Sequence, residues 1–335
     1  MNVLMLMLSP PSAHGGMEKH FSELANGLAA TGISVWCMSA PEHLKSLDSK
    51  IPQIPIRTNV SRYSPKLLRT IVKAQRDHEF DLIHAQGSKA AATIQLLSRF
   101  LSRTKLIATI HNFKSRYPGS HRFSRIIAVS NALANDINSS RVTVVYNGIS
   151  DNLRSAEPIS HDLCDKPAWL AVGRLVHAKG FDLLISAFKT AKGSLIIAGD
   201  GPERGKLQAQ IDKLALTERV KLLGYQTNIP ELMKSVDAIV ISSRKEGFSY
   251  VCAEALLAGK PIVSTDVPVA NELLPPEHLC PTEDVTALSR LLNIPISELE
   301  SAQISARVFA ANTLTLNAMI ENTLIIYREV VHHEE

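Results

Sequence analysis

Short, almost continuously apolar runs alternate along this chain with longer stretches whose apolar residues recur every three or four positions. Val3–Leu8, Ser34–Ser39, Asp81–Ala85, Lys105–Ile110, Ile126–Val129 and Val142–Tyr146 form the first set of runs. Their lack of polar alternation predicts strands covered on both faces, as in a parallel sheet. Met17–Ala30, Ala90–Leu101 and Asn131–Ile137 predict helices between them, and strand, helix, strand is the rhythm of βαβ units. From Asn147 to Pro167 the pattern lapses into Gly, Ser, Asp, Asn and Pro, the composition of an interdomain linker. The alternation then restarts. Ala168–Val172, Leu195–Ala198, Val220–Leu223, Ala238–Ile241 and Ile262–Ser264 predict strands, with helices over Phe181–Thr190, Pro202–Leu214, Pro230–Ser235 and Tyr250–Ala258. Residues 266–313 carry no assigned element, and Leu314–Val331 is the last helical stretch.

The economical architecture is α/β: two Rossmann-like domains, residues 1–150 and 167–312, facing each other across a cleft. A length of 335 residues suits two cores of ordinary size. No run approaches the roughly 18 apolar residues of a spanning helix, and Met1–Leu8 is too short and too poor in basic residues for a signal peptide. The expected location is therefore cytoplasmic. Cys37, Cys164, Cys252 and Cys280 are isolated, which predicts small buried hydrophobes rather than a disulfide framework or structural zinc. A nicotinamide-binding domain would need Gly-x-Gly-x-x-Gly after a strand, and none is present.

Charge changes the picture more than composition does. The net +4 hides a basic first part, with 18 Lys and Arg against 8 Asp and Glu in residues 1–150, and an acidic remainder of 18 against 24. Residues 82–135 contain no acidic residue but carry Lys89, Arg99, Arg103, Lys105, Lys114, Arg116, Arg122 and Arg125. Such a surface predicts an anionic partner. A second cluster, Arg57, Arg62, Lys66, Arg69, Lys73 and Arg76, interleaves with Leu67, Leu68, Ile71 and Val72. That spacing fits a helix lying on a membrane as well as a helix whose leucines face the core. With 5% aromatic residues and no nucleic-acid motif, nucleic acid is not an expected partner.

Candidate chemistry gathers where strands end and helices begin. Glu246 and Glu254 frame Gly247, Phe248, Ser249, Tyr250 and Val251, a turn and helix start whose backbone N–H groups suit a phosphate. Carboxylates on either side of such a site can accept from hydroxyl groups, although each glutamate alone would equally suit a solvated surface. Gly173 and Arg174, with Lys179 shortly after, place cations beyond another strand end, where they could neutralise a leaving diphosphate. Gly15 and Gly16 precede the first helix, and Gly224 and Tyr225 follow the strand ending at Leu223. His111 follows a strand end, where a lone histidine is more often structural than catalytic. No Asp-x-Asp occurs, so no metal or other cofactor is expected.

These segments together resemble the retaining glycosyltransferases of GT-B fold, family 4, also called glycosyl transferases group 1. Glu246 to Glu254 resembles the family's E-x7-E signature, and Gly15-Gly16-Met-Glu18-Lys19 its diphosphate-facing loop. Gly173-Arg174-Leu175 with Lys179-Gly180, Thr109-Ile-His111-Asn112 and Gly199-Asp-Gly-Pro202 match further family segments. The resemblance implies that Glu246 contacts the donor sugar, Glu254 the ribose and His111 the sugar near the reacting carbon. It also implies that Gly224-Tyr225 seats the base and that residues 313–335 form a helix crossing back to the first domain. The chain departs from the family at Asn112, Ser249 and the segment Thr265–Ala270. The function implied is transfer of a hexose-type sugar from a nucleoside diphosphate sugar, a UDP-sugar for preference, to an anionic glycan or glycolipid acceptor. Lipopolysaccharide core or a lipid-linked intermediate at the inner membrane surface would qualify. A nucleotide-sugar epimerase or hydrolase on the same fold, and a non-catalytic protein binding anionic surfaces, are the alternatives.

Overall fold

The computed structural model describes residues 1–13, 15–150, 156–159 and 166–332. Cys164 and much of the expected linker lie outside the described residues. The chain divides into two compact units, Met1–Gly148 with the chain from Leu316 onward, and Ile149–Thr315.

The first unit runs β1 (Asn2–Met7), α1 (Gly16–Ala30), β2 (Ser34–Ser39), α2 (Pro41–Leu44), β3 (Gln53–Pro55), α3 (Pro65–His78), β4 (Leu82–Gln86), α4 (Gly87–Leu97), β5 (Lys105–Ile110), β6 (Arg125–Ala128), α5 (Asn131–Ile137) and β7 (Val142–Val144). All seven strands are parallel, in the order β3-β2-β1-β4-β5-β6-β7. Val3 to Met7 are wholly buried, as strands covered on both faces must be. Phe21, Leu24 and Leu28 line one face of α1 and enter the same core. The basic helix α3 buries Leu67, Ile71 and Ala74, so the core-facing alternative holds for its main apolar residues. Beginning at Gly87, α4 leaves β4 without a loop and stops at Leu97; Ser98–Leu101, expected to be helical, is a turn.

The second unit runs β8 (Ala168–Val172), α6 (Phe181–Phe188), β9 (Ser194–Ala198), α7 (Arg204–Lys213), β10 (Val220–Gly224), α8 (Ile229–Ser235), β11 (Ala238–Ile241), α9 (Tyr250–Leu257), β12 (Ile262–Thr265), α10 (Ala270–Leu273), β13 (Leu279–Cys280), α11 (Val285–Leu291), α12 (Ile296–Ala302) and α13 (Ile304–Thr313). Its sheet is also parallel, in the order β10-β9-β8-β11-β12-β13. Trp169, Phe181, Phe188, Leu195 and Ile197 anchor its core. The four helices α10 to α13 fill the segment left unassigned from sequence. In α13 the usual pattern is reversed: Ala306 and Ala310 are buried, while Ile304, Val308 and Phe309 are exposed.

The final helix, α14 (Leu316–His332), packs on α1 in the first unit. A Cβ on Gly27 of α1 would lie 2.1 Å from Ile320 Cδ1, so any larger residue there would force the Ile320 side chain to move. Met319, Leu324, Ile326, Tyr327 and Val330 complete the core there.

Candidate active site

In each sheet the chain winds outward in both directions from a central pair of strands. Those pairs, β1 with β4 and β8 with β11, are the switch points where parallel sheets open a crevice at their carboxyl ends. The candidate residues gather at both.

In the second unit, Lys179 stands on the turn after β8 and Glu246 on the loop after β11. Lys179 Nζ lies 2.6 Å from Glu246 Oε1, and Ser243 Oγ donates to the same oxygen at 2.7 Å. Both charged side chains are largely buried, with 24% and 11% exposed. The loop is fixed from below. Thr265, at the end of β12, donates to the Ser243 carbonyl at 2.7 Å, and Ser242 Oγ donates to the Lys179 carbonyl at 2.9 Å. Gly180 caps α6 with φ of 64°, and a Cβ there would sit 2.0 Å from the Ser242 carbonyl oxygen. Only glycine lets the two loops close on each other.

Arg244, next to this loop, forks over Asp182 at 2.6 and 2.7 Å and reaches Glu283 at 2.5 Å. The guanidinium holds the Asp182 carboxyl below its ordinary pKa. Arg244 was passed over in the sequence because nothing local marks its partners, 62 and 39 positions away.

Ser249 precedes α9, yet its hydroxyl makes no cap bond and, at 1% exposure, has no partner. A buried hydroxyl left this way costs about 1–3 kcal/mol. The Phe248 and Tyr250 rings meet edge to face at 5.1 Å. Val251 lines a small indentation with Val172, Lys179 and Glu246, and the partly buried Glu254 follows on α9. Gly173 borders the Lys179 stem, a built Cβ lying 3.2 Å from Lys179 Cε, whereas Arg174 is exposed. Gly224 and Tyr225 are less closely involved. Gly224 ends β10, two strands from β8, and Tyr225 follows it, 77% exposed.

In the first unit a cavity of about 220 Å³ opens at the β1/β4 switch point, lined by Ser9, Pro10, Met17, Gln86, Lys89 and His111 among others. Gly15 caps α1 in extended conformation and Gly16 begins it; neither lines the cavity, although the next residue, Met17, does. Glu18 accepts from Ser9 Oγ and so ties the loop to its helix.

His111 belongs to a buried group that sequence spacing did not disclose. Its Nε2 donates to Gln86 Oε1 at 2.9 Å, and its ring meets that of His20 edge to face at 4.7 Å. His84 is bonded to the Tyr327 hydroxyl at 2.6 Å and to Thr109 Oγ1 at 2.7 Å. Burial lowers the pKa of His20 to about 4 and of His84 to about 3, and holds His111 well below its usual value. Asn147 pulls His20 back slightly, though neither His20 ring nitrogen completes a hydrogen bond of normal geometry. All three rings are neutral near pH 7. The burial that keeps His111 neutral also makes it a weak proton acceptor.

Cys37, Cys252 and Cys280 are buried, and burial pushes all three thiols up. Among the described residues no helix is long and apolar enough to cross a membrane.

Paired parallel sheets of this kind define the GT-B class of glycosyltransferases. HepE of Anabaena, solved in complex with UDP, matches with a TM-score of 0.81 at 23% identity, over 98% of this chain and 100% of its own. The sequence agrees with the fold: residues 14–153 match Glycosyltransferase Family 4 and residues 158–307 match Glycosyl transferases group 1. The chain belongs to this family and is a glycosyltransferase. It is similar to the lipopolysaccharide core biosynthesis glycosyltransferase LpsD of Rhizobium meliloti, with 26% identity over 268 residues covering 75% of each chain. It is also similar to the O-antigen biosynthesis glycosyltransferase WclY of Escherichia coli, with 26% identity over 248 residues, or 64% of this chain and 69% of WclY.

Proposed function

We propose that this protein is a retaining glycosyltransferase that moves a hexose-type sugar from a UDP-sugar to a glycan or glycolipid acceptor of the lipopolysaccharide type. The acceptor reading is supported by the similarity to LpsD and WclY, and the choice of UDP by its presence in HepE. The observation that carries the donor site is the Lys179–Glu246 contact at the β8/β11 switch point, with Glu246 three residues before Ser249, whose buried hydroxyl has no partner.

In this reading the donor diphosphate lies at the head of α9. Lys179 neutralises the charge that accumulates as the bond to phosphate breaks, with Arg174 swinging in from solvent. Ser249 donates to a phosphate or sugar oxygen, Glu246 binds the sugar hydroxyls, and Glu254 accepts from the ribose. Because a cation already stands where charge develops, the reaction proceeds without a metal. The proton of the attacking hydroxyl passes to a donor phosphate oxygen on the face from which the diphosphate departs. Neutral His111 positions groups by hydrogen bonding. The protein works at the cytoplasmic face of the inner membrane.

Thermal melts with UDP, GDP, ADP, CMP and dTDP test the donor site. A ligand at about a hundred times its dissociation constant stabilises the fold by roughly 2.7 kcal/mol. The expected result is stabilisation by UDP that disappears in Glu254→Ala. Equal indifference to all five nucleotides would overturn the assignment.

A further inference from the structure

A second and larger cavity in the first unit, of about 1130 Å³, is bounded by six cations and no carboxylate. Lys89 is committed, its Nζ donating to the Thr58 carbonyl at 2.6 Å. Arg62, Arg99, Lys114, Arg116 and Arg122 are exposed, and among the described residues none is ion-paired. Like charges lining one concavity raise its positive potential and repel one another. An anion relieves that repulsion. Four of the five are arginines, whose planar forks match the oxygens of phosphate.

Two features narrow the ligand. Ser88, Lys89 and Lys114 line both this cavity and the smaller one holding His111, so the two are neighbours that share a wall. Tyr63 and Phe100, 59% and 73% exposed, stand on the wall with the Arg62 guanidinium 5.1 Å over the Tyr63 ring. Exposed aromatic faces beside arginines suit a sugar ring bearing anionic groups better than a bare inorganic ion.

We propose that this pocket is the anion-reading subsite for the acceptor, and that the acceptor is a saccharide carrying phosphate groups close to the hydroxyl that receives the sugar. The proposal rests on the reading of the protein as a transferase to a glycan acceptor. It adds that phosphate on the acceptor, rather than its sugar alone, sets recognition.

The test is isothermal titration with inositol hexakisphosphate, a ring carrying phosphates, against uncharged inositol. The hexakisphosphate binds, more weakly at 200 than at 50 mM salt, and inositol does not. Arg99→Ala/Arg116→Ala weakens binding at least about tenfold, whereas Arg69→Ala/Arg76→Ala, a pair on α3 away from the pocket, leaves it unchanged. Stabilisation by UDP is the same in all three proteins. Absence of binding, equal loss in both double variants, or binding only to phosphatidylglycerol vesicles would overturn the proposal; the last would make the face a membrane dock. Hexakisphosphate binding without any UDP effect would leave the pocket standing while removing the donor site.

Discussion

Acidification from pH 7.5 to 5.5 should destabilise the first unit more than the second, because three of its buried histidines cannot take up protons while folded. His20, His84 and His111 stay neutral in the fold, with pKa values of about 4, about 3 and well below 6.5. In the unfolded chain each titrates near 6.5. A depressed folded pKa gives stability that is complete above the unfolded value and is lost as pH falls toward the folded one. At pH 5.5, one unit below, each ring costs about 1.4 kcal/mol, so three cost about 4 kcal/mol. At about 2–4 °C per kcal/mol for a unit of this size, the melt should fall by about 8–16 °C. The depressed carboxyls of Asp77, Asp182 and Asp237 titrate below this window. In the second unit His278, also lowered by burial, contributes a smaller loss of the same sign. The two tryptophans separate the units, since Trp36 lies on β2 and Trp169 on β8. Melts of Trp169→Phe followed by fluorescence therefore report the first unit. In His84→Gln the pH dependence should shrink by about a third, whatever happens to the melt at pH 7.5. A melting temperature that is the same at both pH values, or a pH slope unaltered in His84→Gln, would refute the account.

Three further outcomes are expected. Lys179→Ala should lower turnover by about 10²- to 10³-fold in steady-state transfer assays with the fold intact by circular dichroism; near-normal kinetics would remove Lys179 from the reaction. Gly180→Ala should cost at least about 2 kcal/mol, since the methyl meets the Ser242 carbonyl at φ of 64°, and an unchanged urea midpoint would contradict the close packing of the two loops. Transfer in excess EDTA should proceed at the full rate, and a loss restored by Mn²⁺ would sink the metal-free reading.

Most of the fold was legible because strands covered on both faces announce themselves as apolar runs. What escaped notice did so for physical reasons. Strands β3 and β13 are too short to show a pattern, and α13 hides its alanines while displaying Ile304 and Val308, the inverse of the periodicity that marks a helix. At the candidate site, the family resemblance drew attention to Lys179 and Glu246 separately, and their contact emerged only from the fold. Arg174 stood out with Lys179 in sequence but lies in solvent, whereas the unremarked Arg244 organises the neighbouring loop. Likewise, the hydrogen bond between His84 and Tyr327 joins residues 243 positions apart, a separation no local motif encodes.

That bond bears on how the protein is made. A ribosome delivers the seven strands of the first unit early, but α14, which packs on α1 and supplies Tyr327, emerges only after the whole of the second unit. The second unit, continuous from Ile149 to Thr315, has all its residues before the first is complete. Domains usually mature in the order of synthesis; here the order is inverted for the final step. Until α14 arrives, the Gly27 face of α1 lacks the cover of Ile320 and buried His84 lacks its Tyr327 partner, so the nascent first unit exposes apolar surface that its own sequence will later cover.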